Sequence, residues 1–284
     1  MSKQFDVVVG NPPYQKKRDP KDKKTQPIWQ DFVDLSFKIC KENGYICLVH
    51  PSGWRNVNGV FKKIGNKIKS KQIVYLNMNH FREGQKIFNV AIDFDWYCLK
   101  NTKNNNFLTT IKFQDNIIKD VDISNLEFIP SKMFDEVIGL IAKEGEEKVE
   151  ILADSSHHTQ SGLQKGFMSK KETKRFKYPC VYTVRSKNEP TFYWSSKKNG
   201  HFGIPKVIWG NGASGVIVDK KGEYSLTQYA YAIVDKVKNL KNIQKALKTE
   251  KFIKGIMGFE HSLGDKYNRR MIATFRKDFW KEFV

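Results

Sequence analysis

The chain has 284 residues, enough for one large domain or two ordinary ones. A hydrophobic content of 39% and an aromatic content of 13% exclude a disordered chain, because such a composition supports packed cores. The 50 Lys and Arg residues outnumber the 30 Asp and Glu residues, which gives a formal net charge of +20. This charge favours a polyanionic partner, since basic side chains that neutralise phosphates release condensed counterions.

The sequence favours nucleic acid over a membrane as that polyanion. The basic residues are spread through the chain among aromatic residues and form no terminal polybasic anchor. No apolar stretch approaches the ~18–20 residues of a membrane-spanning helix, and residues 1–6 lack the apolar core of a signal peptide. We therefore expect a cytoplasmic protein without a membrane partner.

The cysteine and histidine patterns predict neither a disulfide framework nor a metal site. The cysteines include no C-x-x-C pair, which is typical of free, buried thiols in a reducing compartment. They are Cys40, Cys47, Cys98 and Cys180. His157 and His158 have no cysteine or acidic companion at ligand spacing, so we assign no zinc site.

The first third of the chain predicts strands that alternate with helices. The β-branched run Phe5–Val9 predicts a strand, and Pro27 suits the first turn of a helix that Asn43-Gly44 would end. Tyr45–Val49 predicts the next strand, and a basic helix is expected from about Phe61 to Ser70. Two further strands are predicted over 72–76 and 89–100. This alternation implies parallel βαβ units with ligand sites at the carboxyl ends of the strands.

The pattern changes after residue 100. A helix is expected over 131–145, and beyond residue 150 short strands between Gly- and Asn-containing turns dominate. Helical patterns near 242–254 and 269–283 close the chain. We therefore predict an α/β fold: a partial Rossmann-like sheet over 1–125, a helical connector over 126–150 and a strand-rich α+β domain over 151–284.

The motif Asn11-Pro12-Pro13-Tyr14 follows the first strand and could build a pocket for a base. Methylation of the exocyclic N6 of adenine is difficult, because the lone pair of that nitrogen is delocalised into the ring. Acceptors for both N6 hydrogens restore nucleophilicity, and the side-chain oxygen of Asn11 and the carbonyl of Pro12 suit this role. Tyr14 offers a face on which a flipped base can stack, worth ~1–3 kcal/mol by analogy with base–aromatic stacking. The alternative is a turn that has this sequence by chance.

Residues 5–100 resemble the catalytic half of DNA adenine-N6 methyltransferases of restriction–modification systems, in particular the Eco57I family of methylases. The resemblance rests on this motif, on the basic loop and helix after it, and on the strand and turn Gly44–Trp54. It implies that Asn11, Pro12, Pro13 and Tyr14 are catalytic, that S-adenosyl-L-methionine is the methyl donor and that double-stranded DNA is the partner. It also implies an aromatic residue on the far side of the flipped base, and Phe88 is the candidate. Phe88 could instead pack in the core, and Phe81 competes for the role.

The resemblance further implies a site for the methyl donor, which in this family precedes the catalytic motif as a strand and a Gly-rich turn. Only ten residues precede Asn11. The later candidate Val207–Gly215 has no helix after its glycines and no acidic residue at the strand position before them, so it favours a β-hairpin. We therefore expect a split or truncated enzyme. Its donor-binding half either comes from a separate methylase subunit or has been lost.

Basic residues in two regions are candidates for DNA contact, which positions a protein without reading sequence. They are Lys16, Lys17 and Arg18 beside the expected base pocket, and Lys170, Lys171 and Arg175 in the second domain. Each lysine of the second domain could instead be a solvated surface charge. The leading hypothesis is a site-specific DNA adenine-N6 methyltransferase. The alternative is a non-enzymatic DNA-binding module derived from such a methylase.

Overall fold

The computed structural model describes residues 4–16, 26–56, 60–153, 156–212, 215–257 and 267–284. The chain forms two compact units, Met1–Phe134 and Asp135–Val284. Each unit combines helices with β-sheets, so the predicted mixed α/β fold is confirmed. No helix of the described residues is both long and apolar enough to cross a membrane.

The first unit is built on one six-stranded sheet. Its strands are β1 Phe5–Gly10, β2 Cys40–Pro51, β3 Lys71–Asn79, β4 Phe94–Lys103, β5 Leu108–Lys112 and β6 Ile118–Asp122. Its helices are α1 Trp29–Ile39, α2 Lys62–Lys69 and α3 Phe81–Phe88, and a 3₁₀ turn spans Ser52–Arg55. The strand order across the sheet is β1-β2-β4-β3-β5-β6.

Strand β4 departs from the expected series of parallel βαβ units. β1 and β2 are parallel, but β4 runs antiparallel between β2 and β3. Asn79 at the end of β3 pairs with Phe94 at the start of β4. The chain therefore enters β4 at the same end of the sheet at which it leaves β3, because α3 does not return the chain to the opposite end. The expectation of parallel units is wrong for this strand.

Helices α1 and α2 cover one face of this sheet. Trp29 and Val33 of α1 are buried in the same hydrophobic core as Ile64 and Ile68 of α2. The core also contains inward-facing strand residues: Ile46, Leu48, Ile73, Leu76, Tyr97 and Leu99. Full burial of each such side chain contributes about 1.5–3 kcal/mol. This packing fixes the carboxyl ends of β1 and β2, from which the predicted catalytic motif and the 3₁₀ turn extend.

The second unit contains two four-stranded sheets. Its strands are β7 Glu150–Leu152, β8 Met168–Ser169, β9 Tyr178–Val184, β10 Pro190–Ser195, β11 Lys206–Gly210, β12 Val216–Asp219, β13 Ser225–Leu226 and β14 Ala230–Val234. The sheet orders are β13-β9-β10-β8 and β12-β11-β14-β7. Residues of both sheets share one core: Val181, Val184, Ile208, Leu226, Ala230 and Ala232. The helices are α4 Phe134–Leu140, which begins at the last residue of the first unit, α5 Thr159–Gln164, α6 Val237–Lys248 and α7 Arg269–Ile272.

The candidate donor loop Val207–Gly215 is a β-hairpin, as the sequence favoured. β11 and β12 pair antiparallel, with Lys206 opposite Asp219 and Trp209 opposite Val216. Residues 213 and 214 of the turn lie outside the described residues.

The last predicted helix, near 269–283, is wrong. It is reduced to α7 and a 3₁₀ turn over Phe279–Glu282. The cause is tertiary packing, because Phe275 and Phe279 are buried against Phe252. Among the four free thiols, Cys40 and Cys180 are buried as predicted, whereas the other two are half-buried.

Candidate active site

The motif Asn11–Tyr14 leaves the sheet at the carboxyl end of β1. Gly10 is the last strand residue and pairs with Leu48 of β2. Asn11 and Pro13 are exposed, Pro12 is buried and Tyr14 is half-buried. The turn therefore presents Asn11 to solvent while Pro12 anchors it, at the edge where α/β sheets form ligand sites.

Tyr14 is fixed by its backbone. Its carbonyl accepts a hydrogen bond from the Ile28 amide at 3.2 Å, and the next residue, Gln15, pairs with Pro27 in an antiparallel bridge. The ring packs against the core of the first unit, and burial raises the pKa of the phenol. Its hydroxyl is buried and has no hydrogen-bond partner among the described residues. Tyr14 is therefore a neutral aromatic wall in a fixed position.

A cavity of about 400 Å³ opens beside Tyr14. Its walls are Tyr14, Gln15, Pro27, Trp29, Pro51, Ser52, Gly53, Phe61, Ile92 and Asp93. Aromatic and apolar walls with a few polar groups are typical of sites for small flat ligands. The cavity wall has no room for a side chain at Gly53, because a Cβ atom there would lie 2.8 Å from the ring of Phe61.

His50 supports the cavity from inside the sheet. Its Nδ1 lies 3.0 Å from the carbonyl oxygen of Pro51, and its Nε2 lies 3.1 Å from the hydroxyl of Tyr97. A carbonyl can only accept, so Nδ1 carries the proton and Nε2 accepts from Tyr97. Burial lowers the pKa of His50 to about 4, which keeps the imidazole neutral. The residue thereby fixes the start of the Pro51–Gly53 wall.

A buried ion pair holds the 3₁₀ turn behind that wall. Asp95 accepts a hydrogen bond from the indole nitrogen of Trp54 at 2.9 Å and lies 2.9 Å from Nε of Arg55. Arg55 also donates to the Ser131 hydroxyl at 2.9 Å and to the Ile129 carbonyl at 3.3 Å. Burial raises the pKa of Asp95 to about 6, although Arg55 and Trp54 lower it. Three well-separated segments of the first unit are thus joined.

Asp93 links the cavity to helix α3. Its backbone carbonyl accepts from the Ser52 amide at 3.1 Å, and its carboxylate accepts from the Phe81 amide at 2.7 Å. The second bond fixes the beginning of α3, since a carboxylate is favourable at a helix N-terminus. The position of Phe88, at the other end of this short helix, therefore depends on the same wall.

Phe88 lies next to Tyr14, where the resemblance would place a second stacking residue. The ring centroids are 6.2 Å apart and the planes meet at 78°, so the two rings touch edge to face. Phe88 also contacts Phe94, at 5.0 Å between centroids. Phe81 contacts His80 instead, at 4.1 Å. A base between Phe88 and Tyr14 would require one of these rings to turn.

The candidate DNA-contacting residues are on the surface where they are described. Lys16 is exposed next to Tyr14, whereas Lys17 and Arg18 lie outside the described residues. Lys170, Lys171 and Arg175 are exposed between α5 and β9 of the second unit. The structure thus places Lys16 near the cavity.

Sequence reasoning missed the residues that support the cavity. They are Trp29, His50, Arg55, Asp93 and Asp95. The alternation of β2 could have placed His50 on the buried face with Ile46 and Leu48. No local signal pairs it with a tyrosine 47 residues away.

The comparison with protein families agrees with this geometry. Residues 1–88 match the model of the Eco57I restriction-modification methylase family. This match covers less than half of the chain. The matched segment contains the Asn11–Tyr14 turn, α1, β2 and all of α3. A comparison with curated protein sequences finds no match.

Solved structures of restriction–modification proteins also resemble the chain. The Type IIL enzyme MmeI, in complex with DNA, is 9% identical over 95% of this chain and 45% of its own, with a TM-score of 0.47. The type IIG restriction endonuclease BpuSI is 9% identical over 98% and 48%, with a TM-score of 0.42. A type I methyltransferase subunit from Streptococcus thermophilus is 23% identical over 42% and 29%, with a TM-score of 0.26. The chain therefore spans less than half of each of these proteins.

Proposed function

We propose that this chain is the catalytic and target-recognition part of a site-specific DNA methyltransferase, which methylates N6 of an adenine flipped out of the duplex. The observation that carries the proposal is the Asn11–Tyr14 turn at the carboxyl end of β1, beside an aromatic-walled cavity. The match of residues 1–88 to the Eco57I family supports it.

The residues of the turn have distinct roles in this proposal. The Asn11 side-chain oxygen and the Pro12 carbonyl accept the two N6 hydrogens, which directs the nitrogen lone pair away from the ring. Tyr14 stacks on the base, and Phe88 closes the other side after rotating from its edge contact. S-adenosyl-L-methionine supplies an already activated methyl group when it is bound. The chain then acts by positioning and electrostatic fit, without a general base.

The one candidate loop that the sequence offers does not fit a site for the methyl donor. The Gly-rich turn Val207–Gly215 joins two antiparallel strands, whereas a donor site of this kind needs a helix after its glycines. We propose that a donor-binding methylase half outside these 284 residues completes the enzyme. The same observation favours a second candidate, a DNA-binding module that recognises DNA without transferring a methyl group.

Duplex DNA is the proposed partner of the second unit. Residues 165–198 contain ten Lys or Arg and only two Glu. Eight of these cations lie on segments that meet at one end of the β9–β10 sheet, where Tyr178 pairs with Ser195. This basic rim is Lys165, Lys170, Lys171, Lys174, Arg175, Lys177, Lys197 and Lys198. All eight are exposed, and none forms an ion pair with an acidic residue within the described residues.

Aromatic rings support the cations of the basic rim. The Lys197 ammonium lies 4.4 Å from the Phe167 ring centroid, and the Lys177 and Lys198 ammonium groups lie 5.5 and 5.6 Å from that of Tyr178. These contacts order the side chains without neutralising them. We propose that the basic rim binds backbone phosphates, together with Lys16, Lys17 and Arg18 near the base pocket.

The test is the nucleoside composition of host DNA in cells that make wild-type protein or Asn11→Ala. We expect N6-methyladenine at specific sites with the wild type and its loss in the variant, while the purified variant binds duplex DNA as tightly as the wild type. Asn66→Ala, on the exposed side of α2, is the control and should retain methylation. Methylation by Asn11→Ala, or N4-methylcytosine in place of N6-methyladenine, would contradict the proposal. Tight DNA binding without any methylation by the wild type would favour the DNA-binding module.

A further inference from the structure

Three tyrosines of the second unit lie together at its surface, in β9, in β10 and in the turn before β14. This tyrosine cluster is Tyr182, Tyr193 and Tyr229. The Tyr182 ring centroid lies 5.2 Å from that of Tyr193 and 5.2 Å from that of Tyr229. Tyr229 is 40% exposed and the other two are half-buried. None of their hydroxyls forms a hydrogen bond within the described residues, so these polar groups are available to a ligand.

A β-bulge in β9 turns Tyr182 away from the core. Val181 and Thr183 lie opposite consecutive residues of β10, which leaves Tyr182 as an extra residue without a partner. Residues 181 and 184 would lie on opposite faces of a regular strand, because side chains alternate along it. The bulge lets Val181 and Val184 both pack in the core of the second unit. Tyr182 thereby faces the other side of the sheet, where it contacts Tyr193.

Close contacts with the other sheet of the second unit fix the β9–β10 hairpin. A Cβ atom at Gly210 would lie 2.3 Å from the hydroxyl oxygen of Thr183, and one at Gly215 would lie 1.9 Å from the Arg185 carbonyl oxygen. In the hairpin turn, the side-chain oxygen of Asn188 accepts a hydrogen bond of 3.0 Å from the first amide of β12. The tyrosine cluster therefore lies on a fixed surface, which lowers the entropy lost when a ligand binds.

Basic residues flank the tyrosine cluster at both ends of the hairpin. The basic rim lies where β9 begins, and Arg185 and Lys187 are exposed in the turn at the other end. This turn carries one acidic residue, Glu189. β9 has seven residues and spans about 20 Å. That length exceeds the ~12 Å width of the DNA major groove, so a hairpin that crosses the groove brings cations to both phosphate backbones.

The packing of the three rings determines which contacts they can make. Tyr182 and Tyr229 meet edge to face at 76°, and Tyr182 and Tyr193 are tilted by 48°. Each ring thus covers part of its neighbour, whereas stacking on a base requires a free ring face. The hydroxyls remain available, and a phenol both donates and accepts a hydrogen bond. They therefore suit the donors and acceptors on base edges, which distinguish all four base pairs in the major groove.

We infer that the tyrosine cluster determines the sequence specificity of this chain, because its hydroxyls bond to base edges in the major groove of the target. The basic rim and the cations of the hairpin turn hold the two phosphate backbones on either side. This inference rests on the proposed function, since duplex DNA is the partner in both. It goes further by separating the residues that distinguish bases from those that contribute affinity for any duplex.

The experiment selects duplexes bound by the purified full chain from a library of random sequences and then sequences them. Tyr182→Phe and Tyr193→Phe each remove one hydroxyl and keep the ring. Tyr224→Phe is the matched control, because Tyr224 is a half-buried tyrosine that packs against the core side of the same sheet. We expect the wild type and the control to enrich one common sequence. Each cluster variant should lose about fivefold in discrimination at one or two positions of it.

Three results would overturn the inference: no common sequence with the wild type, unchanged discrimination in both cluster variants, or equal loss of discrimination in the control. The affinity for duplexes that lack the common sequence should be the same for all four proteins. A lower affinity of the cluster variants for every duplex would assign the tyrosines to backbone binding instead. Failure of the proposed function gives a different result, since the wild type would then enrich a sequence whose adenines remain unmethylated in host DNA.

Discussion

The imidazole of His50 lies flat against the indole of Trp29, with the ring centroids 4.4 Å apart and the planes 13° apart. Trp29 forms part of the cavity wall, whereas His50 is fully buried in β2. The stack therefore couples the proposed base pocket to the protonation state of a core residue. A neutral imidazole suits this position, and a charged one would be desolvated without an acidic partner.

Stability should depend on pH through His50. Its folded pKa of about 4 lies below the ordinary 6.5, so the unfolded state binds the proton first as the pH falls. The contribution of His50 is thus complete above pH 6.5 and is lost progressively towards pH 4, by about 3 kcal/mol at most. Asp95 has the opposite effect on the pH dependence of stability, because burial raises its pKa from 3.8 to about 6. Its contribution to the free energy of unfolding is therefore lost as the pH rises through that range.

The measurement is the free energy of unfolding of the wild type and His50→Gln by urea titration between pH 4 and 7. We expect the stability of the wild type relative to the variant to increase with pH over this range. Other titrating groups, including Asp95, affect both proteins and cancel in the difference. A pH-independent difference would show that His50 does not titrate as inferred.

Gly53→Ala should impair the base pocket more than the fold. The added methyl group would lie 2.8 Å from the Phe61 ring, which is itself a wall of the cavity. The ring must move, at a cost of about 1–3 kcal/mol for overpacking. We expect weaker binding of DNA whose target adenine is mispaired, where flipping is easiest.

A matched substitution separates this local effect from general destabilisation. Gly44→Ala in β2 places a Cβ atom 2.7 Å from the Asp6 carbonyl oxygen, outside the cavity lining. It should lower the melting temperature at least as much as Gly53→Ala. If both variants lose the preference for an easily flipped target equally, Gly53 has no specific role in the pocket.

The sequence predicts those structural features that are determined by residues adjacent in the chain. The strand Phe5–Val9, the turn after it and the hairpin of β11 and β12 each have local signals in β-branched runs, prolines and glycines. The antiparallel insertion of β4 has no such signal, because its cause is the return of the chain beside Asn79. The long helix expected near 269–283 fails for the same reason, since the burial of Phe275 is decided by tertiary packing.

The residues of the candidate site also differ in whether the sequence alone identifies them. Asn11 to Tyr14 can be identified from their order in the chain. The support of the pocket cannot, because Trp54 and Asp95 are 41 residues apart. Buried polar pairs of this kind are specified by the assembled fold, and an Asp in the sequence does not by itself indicate a buried position, because Asp is mostly exposed.

In the buried ion pair of the second unit, we expect loss of the acidic residue to lower stability more than loss of the basic residue. The ammonium of Lys206 lies 2.9 Å from the Asp219 carboxylate, and both side chains are fully buried. Asp219 also accepts from the amides of Glu223 and Tyr224, at 2.8 and 3.0 Å. Asp219→Leu leaves two amides without their acceptor and leaves the buried ammonium with only the carbonyls of His201 and Ile204, so it should cost about 3–5 kcal/mol. Lys206→Met should cost less, because the carboxylate keeps both amides.

Chemical denaturation of the two variants measures this difference. Glu250→Gln is the control, because it removes an exposed ion pair with Lys254, and surface ion pairs contribute little to stability. Greater destabilisation by Lys206→Met than by Asp219→Leu would show that the ammonium, and not the carboxylate, organises residues 219–224.

The basic rim should determine the salt dependence of DNA binding. Each phosphate contact contributes about −0.9 to the slope of the logarithm of the binding constant against that of salt concentration. Combined replacement of Lys177, Lys197 and Lys198 by Gln should reduce the slope by about 3 and weaken binding to all duplex sequences alike. The three lysines are exposed and lie over the rings of Phe167 and Tyr178. Their replacement should therefore leave the packing of the core unchanged.

Helix α6 provides a control with the same change in net charge. Lys241, Lys245 and Lys248 are exposed on this helix, and their combined replacement by Gln should leave the slope nearly unchanged. An equal fall in slope for both triple variants would mean that DNA binding depends only on the total charge of the protein. The basic rim would then not be a phosphate-binding surface. A fall confined to the rim variant would locate the phosphate contacts of the second unit at the end of the sheet where β9 begins, because the two variants differ only in where the charge is removed.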